Sequence, residues 1–72
     1  MYSRYCFTVR YGNKFIFEKK FTSINQLVQV ASFFVSDPDL YMQAYDDLTE
    51  RIFTNARILG LCKEFYNDKV LF

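Results

Sequence analysis

No histidine and no tryptophan occurs in the 72 residues. Without imidazole the chain lacks the usual general base near neutral pH and the commonest nitrogen ligand for a transition metal. Two glycines and one proline leave little scope for a glycine-rich phosphate loop or a strained active-site turn. Asp37, Asp39 and Asp46 lack the glycine and the closing glutamate of an EF-hand loop. The two cysteines, Cys6 and Cys62, lie too far apart in sequence for a metal-type pair and have no histidine partner, and the intracellular compartment expected of this chain makes them read as reduced thiols rather than a disulfide. No apolar run approaches the roughly 18 residues of a membrane span, and "MYSRYCFTVR" has no uninterrupted signal-peptide core. These absences predict a non-catalytic chain with no cofactor, no metal and no membrane partner, in the cytoplasm, or in a host's cytoplasm if the chain is viral.

What the chain has in plenty is rings. Nine Phe and six Tyr make 21% of the sequence, and apolar residues make 51%, which excludes a disordered tail. Seventy-two residues form one domain, 1–72, that buries only roughly 60% of its unfolded surface. So small an interior cannot take every ring, and the surplus must lie at the surface or against a partner.

The stretch "VRYGNKFIF", residues 9–17, predicts a β-hairpin. A two-residue loop at Gly12-Asn13 would pair Val9 with Ile16 and Phe7 with Glu18, mixing rings and charges on each face. A three-residue loop changes the parity and gathers Tyr5, Phe7, Val9, Tyr11, Phe15, Phe17 and Phe21 on one face, with Lys19 the exception. That loop is either Gly12-Asn13-Lys14 or Tyr11-Gly12-Asn13 with Asn13 left-handed. A ribbon with one aromatic face needs helices to cover it.

Ser23 followed by Gln26 has the pattern of a capping box, and Ile24, Leu27, Val28, Ala31, Phe34 and Val35 form one helical stripe, predicting a helix over 24–36. Pro38 ends it, and Asp37 with Pro38 suits the start of a second helix, with Asp39 near its positive end. A stripe of Tyr41, Ala44, Tyr45, Leu48, Ile52, Asn55, Ala56 and Leu59 carries that second helix to about residue 60, with Thr49 an alternative cap for a third. Residues 61–72 fit either a third strand of the sheet or a helix continued through Gly60 to Tyr66. The terminal Val70-Leu71-Phe72 is apolar enough to dock on the hairpin or on another chain. The expected fold class is α+β: a hairpin over 3–21 packed on two or three helices.

Net charge is +1, but the charges segregate. Residues 1–20 hold Arg4, Arg10, Lys14, Lys19 and Lys20 against Glu18, and residues 37–50 hold Asp37, Asp39, Asp46, Asp47 and Glu50 with no basic residue. On a helix, Asp39, Asp46, Asp47 and Glu50 interleaved with Tyr41, Met42 and Tyr45 would supply steering charge and anchoring rings for a basic site on a larger protein target. Asp46, Asp47 and Glu50 within one turn would repel each other, a cost that binding would rationalise. Because carboxylates imitate phosphates, a target that normally binds nucleic acid is expected. The competing reading is a nucleic-acid-binding module using Arg4, Arg10, Lys14, Lys19 and Lys20 of the hairpin. A third, compatible with either, is a homo-oligomer that closes the surplus apolar surface on itself.

In size, composition and charge segregation the chain resembles the small accessory proteins with which bacteriophages inhibit host machinery, including anti-CRISPR and other anti-defence inhibitors. The resemblance is one of type and implies a stoichiometric inhibitor or modulator. No motif carries it, so it assigns no residues.

Overall fold

A computed structural model describes residues 2–70 and the side chains of residues 2–65. The architecture is α+β. Strands β1 (Tyr5–Tyr11), β2 (Lys14–Phe21), β3 (Leu40–Asp46) and β4 (Arg51–Phe53) form one antiparallel sheet in the order β2-β1-β3-β4, and helices α1 (Ile24–Ala31) and α2 (Asn55–Val70) cover one face. The least dimension, 18 Å, is that of two layers.

The hairpin solves its parity problem in the strand. Its loop is the two-residue Gly12-Asn13, with Tyr11 opposite Lys14 and Arg10 opposite Phe15, instead of the three-residue loop expected. Gly12, at φ 59, supplies the positive φ that such a loop asks for. Between Arg10 and Val9 the register shifts, so that Val9 faces Phe17 and Ile16 is the extra residue of a bulge. Beyond it, Tyr5, Phe7 and Val9 point to the helices together with Phe17 and Phe21. Before it, Phe15 is 65% exposed and Tyr11 57% exposed, so neither joins the core. Lys19, on the inner side opposite Phe7, places its ammonium 5.6 Å from the centre of the Phe21 ring at the sheet's margin, where its charge stays wet.

Helix α1 follows the expected stripe: Leu27, Val28 and Ala31 are buried, and Ile24, Phe34 and Val35 pack against them. Ser23 caps it by accepting from the Gln26 N–H at 3.3 Å. The Gln26 side chain accepts from the Thr22 hydroxyl. The regular helix ends at Ala31, and turns occupy residues 32–36.

The second helix expected over 38–60 is instead a turn, two strands and the first half of α2. Asp37 does not cap a helix; its carboxylate accepts from the Asp39 N–H in a local turn. From Leu40 the chain alternates. Met42 and Ala44 are buried toward the helices, while Tyr41, Gln43 and Tyr45 lie in the opposite set. Both a 3.6-residue and a two-residue period fit this sequence. The choice falls to β because the inner edge of β1 has a ladder to complete, because tyrosine suits strands, and because three clustered acids disfavour a helix. Thr49 caps nothing; it sits in the β3–β4 turn, where Glu50 takes φ 59 and its N–H donates to Asp46 C=O.

Helix α2 runs through Gly60 and buries Ile58 and Cys62, flanked by Leu61 and Phe65, rather than the expected Ala56 and Leu59. Residues 61–70 are therefore helix, not strand. Expectations about the docking of Leu71-Phe72 and the Val70 side chain lie outside the described residues. Cys6 and Cys62 are free thiols, as expected, and burial pushes both above the ordinary thiol range, which disfavours the reactive thiolate. Among the described residues no helix is long and apolar enough to cross a membrane.

Candidate functional site

The residues expected to make an acidic helical face are dispersed. Met42 is a core residue. Asp46, 2% exposed, lies inside the β3–β4 end of the sheet. Its carboxylate accepts from Arg4 Nε at 2.8 Å, Arg4 Nη2 at 2.9 Å, the Thr49 hydroxyl at 2.9 Å and the Leu48 N–H at 3.1 Å. Asp47 accepts from the Tyr2 hydroxyl at 2.6 Å. Asp39 precedes β3 and Glu50 follows it, so the length of the strand, roughly 20 Å, separates them.

Those bonds set the ionisation of Asp46. The Arg4 guanidinium, helped by Thr49 and Leu48, holds the Asp46 carboxyl far below the usual carboxylate range against the opposing effect of burial. A depressed folded value means a contribution that is full above the unfolded carboxyl value of about 4 and lost as the pH falls through the folded value. Urea midpoints measured at pH 7, 4 and 2 are expected to fall steeply below pH 4 for the wild type. Asp46→Asn should start lower at pH 7 and change less across the same interval; parallel curves would show that the bridge does not govern acid unfolding.

The basic residues of the alternative reading are scattered too. Arg4 is engaged by Asp46, Lys19 is on the helix side, and Lys14 stands by the hairpin tip. By register Arg10 and Lys20 lie on the outer face of the sheet, and Arg4 borders it, lining a concavity with Cys6, Lys20 and Tyr45.

Among the described residues, no helix covers that face. By register it carries three rows across the strands. The first is Lys20, Cys6, Tyr45 and Ile52; the second is Glu18, Thr8 and Gln43; the third is Phe15, Arg10 and Tyr41, with Ile16 of the bulge beside them. Ile52 is 56% exposed, and Phe15, Ile16 and Tyr45 are exposed as well. The Arg10 guanidinium lies 4.4 Å from the centre of the Tyr41 ring. The Cys6 thiol donates to Glu18 Oε1 at 3.8 Å in the middle of the face. Of the expected partner-binding residues, Tyr41 and Tyr45 share this face two rows apart, and Asp47 lines a concavity with Tyr45, Arg4 and Lys20 at its margin; Phe15 is expected on the core face and Ile52 in a helix stripe, while Ile16 is left off that core face. The alternation of residues 40–45 is the sequence signal for β3 and its outward Tyr41 and Tyr45; Phe15 is turned outward by the bulge, which that alternation does not mark.

Phe33 and Leu48 are exposed away from that face, and single exposed apolar residues need no explanation. A concavity of about 330 Å³ lies among Val35, Pro38, Met42, Ala56 and Leu59. Its polar members are already engaged, Asn55 with β3 and Asp37 with the Asp39 N–H, so it lacks the free convergent donors and acceptors of a ligand site. Comparison with protein-family models, with curated proteins and with solved structures returns no match.

Proposed function

We propose that this is a non-catalytic protein-binding domain that docks on a larger protein through the open face of its sheet and modulates or blocks it, in the manner of phage anti-host and anti-defence inhibitors. One observation carries the reading: the outer face holds exposed Phe15, Ile16, Tyr45 and Ile52 around a ring-stacked arginine, and among the described residues no helix covers it. Tyrosine and arginine amid apolar neighbours, with few charges, is the composition of the energetic centre of protein interfaces. A polyanion would ask for several uncompensated cations, whereas Arg10 and Lys20 share this face with Glu18.

The test is affinity capture from lysate of the source organism, or of its host, with wild type beside the double variant Tyr45→Glu, Ile52→Glu. Near-UV circular dichroism first establishes that both are folded. Wild type should retain a discrete protein at stoichiometric yield and the variant should lose it. Equal retention by both, or nucleic acid in place of protein, would overturn the proposal.

A further inference from the structure

We infer that the partner seats a carboxylate, flanked by apolar side chains, on the Arg10 guanidinium between Phe15 and Tyr41. This rests on the open sheet face being the contact surface. Arg10 is half-buried in its row, Phe15 on one side and Tyr41 on the other. Among the described residues the ion pair is that of Arg4 with Asp46, and Arg10 faces no carboxylate of its own. The nearest acid on the face by register is Glu18, one row away, which takes the Cys6 thiol as donor. A guanidinium laid against a ring uses its flat side and keeps its N–H fork at the rim for an acceptor, and that fork matches a carboxylate in two parallel bonds. Held in place by the ring, it loses less freedom on binding than an unsupported arginine.

The apolar neighbours set the rest of the partner's chemistry. Phe15 and Ile16 stand exposed at one side of the guanidinium, so a partner that covers them dries the pair and strengthens it. Phosphate also fits the fork. A run of phosphates, however, would have to pass the Glu18 carboxylate, which lies in the row between those of Arg10 and Lys20. Row spacing along a strand is roughly 7 Å, within the Debye length at physiological salt. A single carboxylate beside apolar side chains meets no such repulsion.

The experiment is selection of displayed random linear peptides on the immobilised full chain, followed by titration of the recovered peptides. They should share an Asp or Glu beside an aromatic or aliphatic residue, and changing that acid to its amide should weaken binding about tenfold or more. On Arg10→Gln the acidic peptide should weaken by a like factor, and acid and amide peptides should then bind alike, the coupling expected of a direct pair. Recovery of no peptides, of peptides without an acid, or of acidic peptides indifferent to Arg10→Gln overturns the inference. Retention on single-stranded DNA that Arg10→Gln abolishes does so too, by giving Arg10 to phosphate. The face itself is tested separately: peptides lost on Ile52→Glu but indifferent to Arg10→Gln leave the docking surface standing without its carboxylate, and peptides indifferent to both remove the surface as well.

Discussion

Replacing Phe7 with alanine is expected to leave the chain without a cooperative fold. Phe7 is fully buried on β1, and its ring centre lies 6.1 Å from that of Phe17, 6.4 Å from Phe21 and 6.2 Å from Phe34. It is thus the ring through which β1, β2 and the end of the α1 segment meet. Truncating a buried phenylalanine costs about 3–5 kcal/mol, transfer and cavity together. A core in a domain of this size supplies about 3–5 kcal/mol in total. Thermal melts followed by circular dichroism should show no sigmoidal transition for Phe7→Ala, while Phe33→Ala, at a position 80% exposed, should melt within a few degrees of wild type. A cooperative Phe7→Ala melt near the wild-type midpoint would place the core elsewhere.

The second large effect is expected at Asn55, which acts as a missing piece of strand. In an antiparallel ladder every second residue presents both backbone groups to the same neighbour. On β3 that set is Leu40, Met42 and Ala44, facing β4. Yet β4 is three residues long, and its pairing reaches only from Asp46 to Ala44, opposite Phe53. The next partner by register would be residue 55, where the chain has already turned into α2. The Asn55 side chain closes the gap, its Oδ1 accepting the Met42 N–H and its Nδ2 donating to Leu40 C=O at 3.0 Å. Primary amide replaces peptide group.

Asn55→Ala leaves a donor and an acceptor half-buried and unpaired, a loss of about 2 kcal/mol. Asn55→Asp keeps the acceptor for Met42 but sets a carboxylate against Leu40 C=O, so it should not restore stability. Denaturant midpoints measure the loss, and amide exchange locates it: Met42 should lose protection in Asn55→Ala while Phe7 and Val9 on the far strand keep theirs. Unchanged Met42 protection would mean that the side-chain bridge is dispensable.

Much of this fold was legible in the sequence, and the failures have definite causes. The hairpin, its aromatic inner face, the Ser23 cap and the α1 stripe follow from local pattern, because each is fixed within a few residues of itself. The 38–60 segment was not legible, because Tyr41, Ala44, Tyr45 and Leu48 satisfy helical spacing while Leu40, Met42 and Ala44 satisfy strand alternation. What decides between them is the unfilled edge of β1, some thirty residues earlier in the chain. Asn55 looked like a polar member of a helix stripe, since a side chain that completes a strand can be recognised only once the strand is known. The acidic residues followed the same error. Asp46 and Asp47, adjacent in sequence, read as one exposed cluster, but strand geometry sends one inward to Arg4 and leaves the other at the surface with Tyr2. Tyr41 and Tyr45 fell on the candidate surface under either reading, because a spacing of four keeps two residues on one side of a helix and of a strand alike.

The bulge at Ile16 makes chain length, as much as side-chain identity, a carrier of information in this protein. One inserted residue lets a single aromatic-rich strand serve two masters, with Phe17 and Phe21 turned inward and Phe15 outward. Deleting it would restore a continuous two-residue register and oblige one set of rings to change sides. Variation by insertion or deletion at this point therefore exchanges interior for exterior in one step, whereas point substitution at Phe15, Arg10 or Ile52 retunes the outer surface and leaves the interior as it is.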